Sequence, residues 1–385
     1  MSGGDRPRPK PREIIMHFFV NGKDLKAALA EFKRAKIKGL VLVGSDTNDT
    51  VTLDAYTGDL NKTGPVTIPE RRLRVTIPAR YTGEWTSRGS FKCDLKDLKA
   101  DADEVEISED CFGLLVNGDL RTSTETSANN MPWENVAEPV WTARREITPE
   151  DSKAIAWVRE AIDTESTRGF DHLRIAGARA EATNGYWLAR AALSGDGSEM
   201  YMHWMIADLA ARAPGVLSSA TTDDGTEWAQ YRAPGIILET ARKADHPAWP
   251  EFDKAFPKGA PSVQVHVPHL RDTVKAAVKG YKHAYVSLCC SLRQRKMSVA
   301  GIEINRPMKL PYDTLEKTGE ARTEIAMLDE PSTLTALAGV VTYNAAYLVP
   351  LLAGFAGNAQ MSLGEAEGPL MFADDTRTAV VMPFD

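Results

Sequence analysis

"EATNGYWLAR", residues 181–190, sets the turn dipeptide Asn184-Gly185 directly before two large aromatics, Tyr186 and Trp187. Asn-Gly favours positive backbone dihedrals, so the stretch reads as strand, tight turn, strand. Leu188 and Ala189 then continue an apolar run. The two rings either fill a core or shape a surface for a partner.

Away from this stretch the chain carries the same pattern three times. Amphipathic helices are expected at "NGKDLKAALAEFKRA" (21–35), "TPEDSKAIAWVREAI" (148–162) and "VPHLRDTVKAAVKGY" (267–281). In the second, Thr148 can cap, Pro149 suits the first turn, and Ile155, Val158 and Ile162 form the apolar stripe. Equivalent positions, Asp24, Asp151 and His269, recur at roughly 120 residues, a period typical of a repeated domain. A second short helix is expected in each third, at 92–100, 202–213 and 343–355. Alternating strands such as "LRVTIPARY", "HLRIAG" and "PSVQVHV" lie between. The fold class is α+β, with strand–helix–strands–helix–strands repeated about three times.

Bulk composition narrows the function classes. The 385 residues are 43% hydrophobic and 26% charged, as in a globular protein, with a net charge of −7. No run approaches the ~18 apolar residues of a membrane span. The opening "MSGGDRPRPKPRE" has no apolar secretory core and reads as a flexible tail, so a cytoplasmic location is expected. Cysteines 93, 111, 289 and 290 have no metal-ligand spacing, and no cofactor or metal is expected. A phosphate-binding glycine loop, a GxSxG motif and a paired-carboxylate signature are all missing from the sequence, so enzyme chemistry is not expected. His203 reads as core packing; His266 and His269, flanking Pro268, read as capping or exposed residues.

The net charge argues against nucleic acid, but its distribution does not. Cations gather on the helices: Lys23, Lys26, Lys33 and Arg34 on the first, Lys153 and Arg159 on the second, and Arg271, Lys275 and Lys279 on the third. Lys92 and Lys96 join them from the 92–100 segment. Acidic runs lie elsewhere, at 101–110, 221–227 and 364–368. Cationic faces converging on one track would make sequence-independent, salt-sensitive phosphate contacts.

Three stretches, in order, resemble the bacterial DNA polymerase sliding clamps, the β subunit of the replicative polymerase. "ATNGYWLA" (182–189) is similar to that family's Ala-Thr-Asp-Gly-His/Tyr-Arg-Leu-Ala. "WPEFDKAFP" (249–257) resembles the segment that closes its middle domain. "YNAAYLVPLL" (343–352) with "GPLMF…AVVMPF" (368–384) resembles its C-terminal helix and closing strands. The first third matches more loosely, through its helix, "FKCDLKDL" and "NNMPW" (129–133).

The resemblance implies three clamp-type domains, each with two helices on antiparallel sheets, at 14–135, 136–260 and 261–385 after a tail at 1–13. It implies a head-to-tail homodimeric ring around double-stranded DNA, with helices lining the hole and the cations named above facing DNA. It also implies a hydrophobic site where the replicative polymerase, the clamp loader and repair proteins insert short peptides. Carried over, that site comprises Thr183, Gly185, Tyr186, Trp187 and Leu188, then Pro250, Lys254 and Ala255. Asn344, Tyr347, Pro369, Val380, Met382, Pro383 and Phe384 complete it. Phe170 or Leu173 would supply a further wall. The chain departs from the family at Asn184 for Asp, Trp187 for Arg, and the ending Phe384-Asp385. Trp187 is expected to add a flat surface to the site. The rival reading is a monomeric clamp-fold protein that binds clamp partners without encircling DNA.

Overall fold

A computed structural model describes residues 14–47, 49–57, 71–81, 90–110, 113–120, 139–166, 168–223, 225–242, 249–256, 262–282, 284–291, 296–303, 322–326, 340–363 and 368–383. Among the described residues, its elements fall into three series of eight strands. The first holds β1 (Ile14–Asn21), α1 (Gly22–Arg34), β2 (Leu40–Thr47), β3 (Thr50–Thr57), β4 (Arg71–Tyr81), β5 (Ser90–Asp94), β6 (Glu104–Asp110), β7 (Gly113–Val116) and β8 (Asp119–Leu120). The second holds β9 (Ala143–Ile147), α2 (Pro149–Val158), β10 (His172–Ala176), β11 (Arg179–Thr183), β12 (Trp187–Ala192), β13 (Met200–His203), α3 (Trp204–Arg212), β14 (Gly215–Thr221), β15 (Glu227–Ala233) and β16 (Ile236–Arg242). The third holds β17 (Ser262–His266), α4 (Val267–Ala277), β18 (Ala284–Ser291), β19 (Lys296–Glu303), β20 (Arg322–Ala326), β21 (Val340–Asn344), α5 (Ala345–Ala353), β22 (Asn358–Leu363), β23 (Leu370–Ala373) and β24 (Arg377–Val381).

Local chemistry accounts for the helix starts. Asn21 Oδ1 accepts the Lys23 amide, and Leu25, Ala28 and Phe32 then bury one face of α1. Thr148 and Asp151 form a reciprocal capping box on α2 behind Pro149. His203 and His266 do the same work at α3 and α4, their Nδ1 atoms accepting the Met205 and His269 amides. His203 is thus a buried cap at the mouth of α3 rather than a residue within it.

The first third departs from the expected pattern at 92–100, where no helix forms. Lys92, Cys93 and Asp94 instead pair with Leu42, Val41 and Leu40 of β2. Buried Cys93 faces the core, and Asp94 Oδ1 then accepts the Lys96 amide to turn the chain. Five α-helices are present among the described residues.

The chain divides into two compact units, residues up to Arg144 with Gly215–Ala244, and Arg145–Pro214 with Asp245–Asp385. In the first unit, strands run in the order β8-β7-β6-β1-β4-β16-β15-β14, with β2, β3 and β5 branching from β4. Its core includes Phe18, Phe32, Leu73, Leu217 and Tyr231, all nearly inaccessible. The second unit holds an eight-stranded sheet, β13-β10-β11-β12-β24-β23-β22-β17, and a four-stranded one, β20-β19-β18-β21. Within it α2 meets α5 through Trp157, whose indole N–H donates to the Leu351 carbonyl at 3.2 Å. A Cβ on Gly354 would come within 2.6 Å of Trp157 Cδ2, so only glycine admits that ring.

Candidate functional site

The Asn184-Gly185 turn is tied down on every side. Asn184 Oδ1 accepts the amides of Tyr186 and Trp187, each at 3.0 Å. Thr183 Oγ1 accepts the Gly185 amide and donates to the Trp187 carbonyl at 2.8 Å. Gly185 has φ +88, and a Cβ there would approach Phe170 at 3.2 Å. This fixed turn lifts Tyr186 off the sheet, leaving it 58% exposed. The ring stacks on Tyr347 from the first turn of α5, with centroids 5.4 Å apart and planes 9° from parallel. The Tyr186 carbonyl accepts the Met382 amide at 2.8 Å. Met382 is 43% exposed, and with Tyr186 it accounts for two of the three large exposed apolar side chains among the described residues. Monomeric surfaces seldom place such groups side by side without use for them.

One strand row away the surface becomes a covered apolar cluster. Thr183, Leu188, Val380 and Met371 stand directly opposite one another across β11, β12, β24 and β23. Residues 249–256 cross this face as a strap. Phe252 packs into the Leu188–Val380 cluster, with Trp249, Ala255, Phe256 and Met371 around it. Trp249 also rests on Tyr201, with centroids 5.8 Å apart. Pro250 is half-buried; Lys254 is exposed and paired with Glu251 at 2.7 Å.

The next row on the same face is ionic: Arg174, Glu181 and Arg190 face one another across β10, β11 and β12. Glu181 is only 3% exposed, with Arg190 at 2.6 Å and Arg174 at 3.5 Å. Arg190 also reaches up to the strap, holding Asp253 at 2.8 Å and lying over the Phe256 ring at 4.6 Å. Arg174 is held above its ordinary pKa by the carboxylates of Glu199 and Glu181, which outweigh burial. A buried carboxylate thus fixes the arginine that fastens the strap.

These contacts place the expected residues unevenly. Thr183, Gly185, Tyr186, Leu188, Tyr347, Val380 and Met382 come together, with Ala255 against the cluster. Trp187 is only 2% exposed and offers no surface, because adjacent strand residues point to opposite faces and its own is the one α2 covers. Asn344 caps α5, accepting the Ala346 amide at 2.9 Å. Pro369 and Pro383 are half-buried. Phe384 and Asp385 lie outside the described residues, as do the 1–13 tail and 129–133. Of the two wall candidates, Phe170 packs against the turn, whereas Leu173 is wholly buried. Sequence reasoning missed Trp249, Phe252, Phe256, Met371 and Arg190; the aromatic spacing at 249, 252 and 256 was the available signal.

The cations are also unevenly placed. On α1, Lys23, Lys26, Lys33 and Arg34 are all exposed, and the three lysines pair with no acid among the described residues. Lys153 and Lys275 are exposed, each with acidic neighbours on its helix. Arg159 instead bridges to Asp208 of α3 and to Glu160. Arg271 pairs with Asp272 at 3.1 Å, and Lys96 with Asp94 at 3.2 Å. Lys279 lies beyond the end of α4, which stops at Ala277 because the backbone leaves helical geometry at Val278. The expected helical row of Arg271, Lys275 and Lys279 therefore loses its last member. Lys92 lies on β5, its side chain outside the described set.

No family profile matches the sequence, and no curated protein does. Solved structures do. The DnaN sliding clamp of Bartonella birtlesii, bound to griselimycin, superposes with a TM-score of 0.69 at 14% identity, covering 96% of this chain and all of that one. The Helicobacter pylori β clamp bound to a DNA ligase peptide gives 0.69 at 13%, with the same coverage. The Pseudomonas aeruginosa sliding clamp gives 0.66 at 16% over the same shares. The chain has the sliding-clamp fold. At these identities the likeness speaks for architecture, and the sliding-clamp fold accommodates the buried Trp187 and the Tyr186–Tyr347 stack as features of this chain. No helix among the described residues is long and apolar enough to cross a membrane.

Proposed function

We propose that the protein is a DNA sliding clamp: a processivity factor, non-catalytic, closing as a head-to-tail homodimer of three-domain chains around duplex DNA. The observation that carries this is the bookkeeping of strands. The fourth strand of the first series, β4, pairs antiparallel with the eighth of the second, β16. The fourth of the second, β12, pairs antiparallel with the eighth of the third, β24. One such pair is left over: β20, the fourth of the third series, and β8, the eighth of the first. Both lie at sheet ends among the described residues. Edges of this kind seek a partner. A second copy offering β8 to β20 repeats the same joint, and a heterologous joint whose rotation closes makes a ring.

The free lysines of α1 supply the diffuse phosphate attraction that permits sliding, which bidentate base contacts would arrest. Partners such as the replicative polymerase, the clamp loader and repair proteins dock short peptides at Tyr186 and Met382, beside the covered Leu188–Val380 cluster. The solved H. pylori clamp carries a ligase peptide, which supports that mode. Sedimentation tests the ring: a dimer near twice 42.2 kDa, retained on nicked circular DNA and released on linearisation, is expected. A monomer at micromolar concentration that passes freely over circular DNA overturns it in favour of a clamp-fold protein that only captures partner peptides.

A further inference from the structure

Two exposed side chains, Tyr186 and Met382, are a small footing for a peptide, and the apolar ground beside them is already taken. Phe252 of the strap, 4% exposed, fills the seat formed by Leu188 and Val380. A single 3-10 turn, Phe252–Lys254, delivers it, and that turn is a strand of neither sheet. The Lys254 and Ala255 amides are satisfied inside the strap, by the Glu251 and Phe252 carbonyls at 3.0 and 2.9 Å. Side chains fasten the strap to the sheet: Phe252 in its seat, Asp253 on Arg190 at 2.8 Å, and Phe256 beneath the same guanidinium at 4.6 Å. The Asp253 carboxylate is 79% exposed, while Arg174, the other cation of that row, is shared by Glu181 and Glu199. Closure also leaves the Trp249 indole N–H buried without an acceptor among the described residues, a cost that opening into water relieves. The strap is built like a bound peptide that happens to be tethered.

Resting on the peptide-docking reading above, we propose that the strap is a built-in occupant of the docking site, displaced by partner peptides that carry its own chemistry. That chemistry is an aromatic residue, an acid directly after it and a second aromatic, spaced as in Phe252-Asp253-Lys254-Ala255-Phe256. The partner's first ring takes the Leu188–Val380 seat, its acid takes Arg190, and its second ring lies under the guanidinium. Arg190 keeps Glu181 at 2.6 Å throughout, so the exchange strands no buried charge. Tyr186 and Met382 are the ground on which the incoming chain first lands. A tethered occupant weakens every ligand according to how rarely the seat is empty, and so favours peptides that match all three contacts.

The test uses the full chain and the strap itself as probe, a fluorescein-labelled peptide of residues 249–256 titrated by fluorescence anisotropy. The probe should bind Phe252→Ala about tenfold more tightly than wild type, whose own strap competes at high effective concentration. Replacing the probe's first phenylalanine by alanine should abolish that binding, and its aspartate by asparagine should weaken it about threefold. Asp253→Asn loosens the strap and leaves Phe252 in place; it should bind the probe about twofold more tightly than wild type. Excess probe should also quicken hydrogen exchange of the wild-type Lys254 and Ala255 amides. Equal affinity for wild type and folded Phe252→Ala, or binding to neither, overturns the proposal. Should Phe252→Ala fail to fold, unchanged affinity on Asp253→Asn together with unchanged exchange overturns it instead. A peptide selected from a random phage-displayed library separates this proposal from the docking reading. If its binding is lost on Tyr186→Ala while the strap amides exchange no faster, displacement falls and the docking site stands. A library that yields no binder at all removes the docking site itself, and displacement by partners with it.

Discussion

Replacing Arg190 with Met probes how the proposed peptide site is held together. The change keeps the stem length and removes the guanidinium. Glu181, 3% exposed, then retains only Arg174 at 3.5 Å, a longer contact that is shared with Glu199. Stranding a buried charge entirely costs about 3–5 kcal/mol; with one arginine left, about 2–3 kcal/mol is expected. The Asp253 contact adds little, since that carboxylate is mostly in water. For a unit of this size the loss corresponds to a melting temperature lower by roughly 4–10 °C, read by circular dichroism. Hydrogen exchange across 249–256 should also quicken, because the Lys254 and Ala255 amides are held only within the strap, by Glu251 and Phe252 carbonyls. Adding Glu181→Gln to Arg190→Met should recover most of the stability but not the slow exchange, since the buried charge is gone while the fastening is still absent. An unchanged melting temperature together with unchanged exchange in Arg190→Met would refute the fastening argument. A double variant no more stable than the single would refute its electrostatic part.

Other outcomes follow from single contacts. Gly354→Ala drives a methyl into the Trp157 ring and strains its bond to Leu351, so about 2–4 kcal/mol should be lost in denaturant titration, with Gly357→Ala, which meets nothing, as the control. Trp187→Arg buries a cation where the indole is 2% exposed, and should lower the melting temperature far more than Tyr186→Ala, which should weaken peptide binding and leave folding nearly untouched. Burial raises the Asp151 carboxyl, but hydrogen bonds from Ser194 and Thr148 outweigh it and leave its pKa below the ordinary value. Its stabilisation is therefore present above the unfolded pKa and lost as pH falls through the folded one. Asp151→Asn should cost stability at pH 7, and the gap to wild type should close on acidification below about pH 4. Neutralising Lys23, Lys26 and Lys33 together should speed loss from circular DNA and flatten its salt dependence, whereas Arg159→Gln should act mainly through its ion pair with Asp208.

What was legible in the sequence was what local physics decides. Asn-Gly forces its turn, Thr148-Pro149 starts its helix, and an apolar stripe at helical spacing buries Leu25 and Phe32. The threefold rhythm follows, because each repeat obeys the same local rules. The segment at 92–100 escaped this reading. Its apolar residues fit a helix stripe, but edge pairing with β2 satisfies more backbone groups than an isolated turn of helix could. The orientation of Trp187 was hidden for a related reason. A strand of known register sends neighbours to opposite faces, and only the pairing of β12 with β24 says which face is covered.

The site itself shows the sharper limit. Its exposed members, Tyr186 and Met382, lie in motifs that could be read directly. Its supports could not be, because they are joined across as many as 63 residues of chain. Arg190, Glu181 and Asp253 look in sequence like three ordinary surface charges, and only the sheet row makes them one device. Charge on the helices behaves likewise. A count of cations treats Arg159 and Lys23 alike, yet one is committed to Asp208 and the other pairs with no acid among the described residues. Under the proposed function, partner binding by this chain would rest less on which residues it has than on which of their charges the fold has already neutralised.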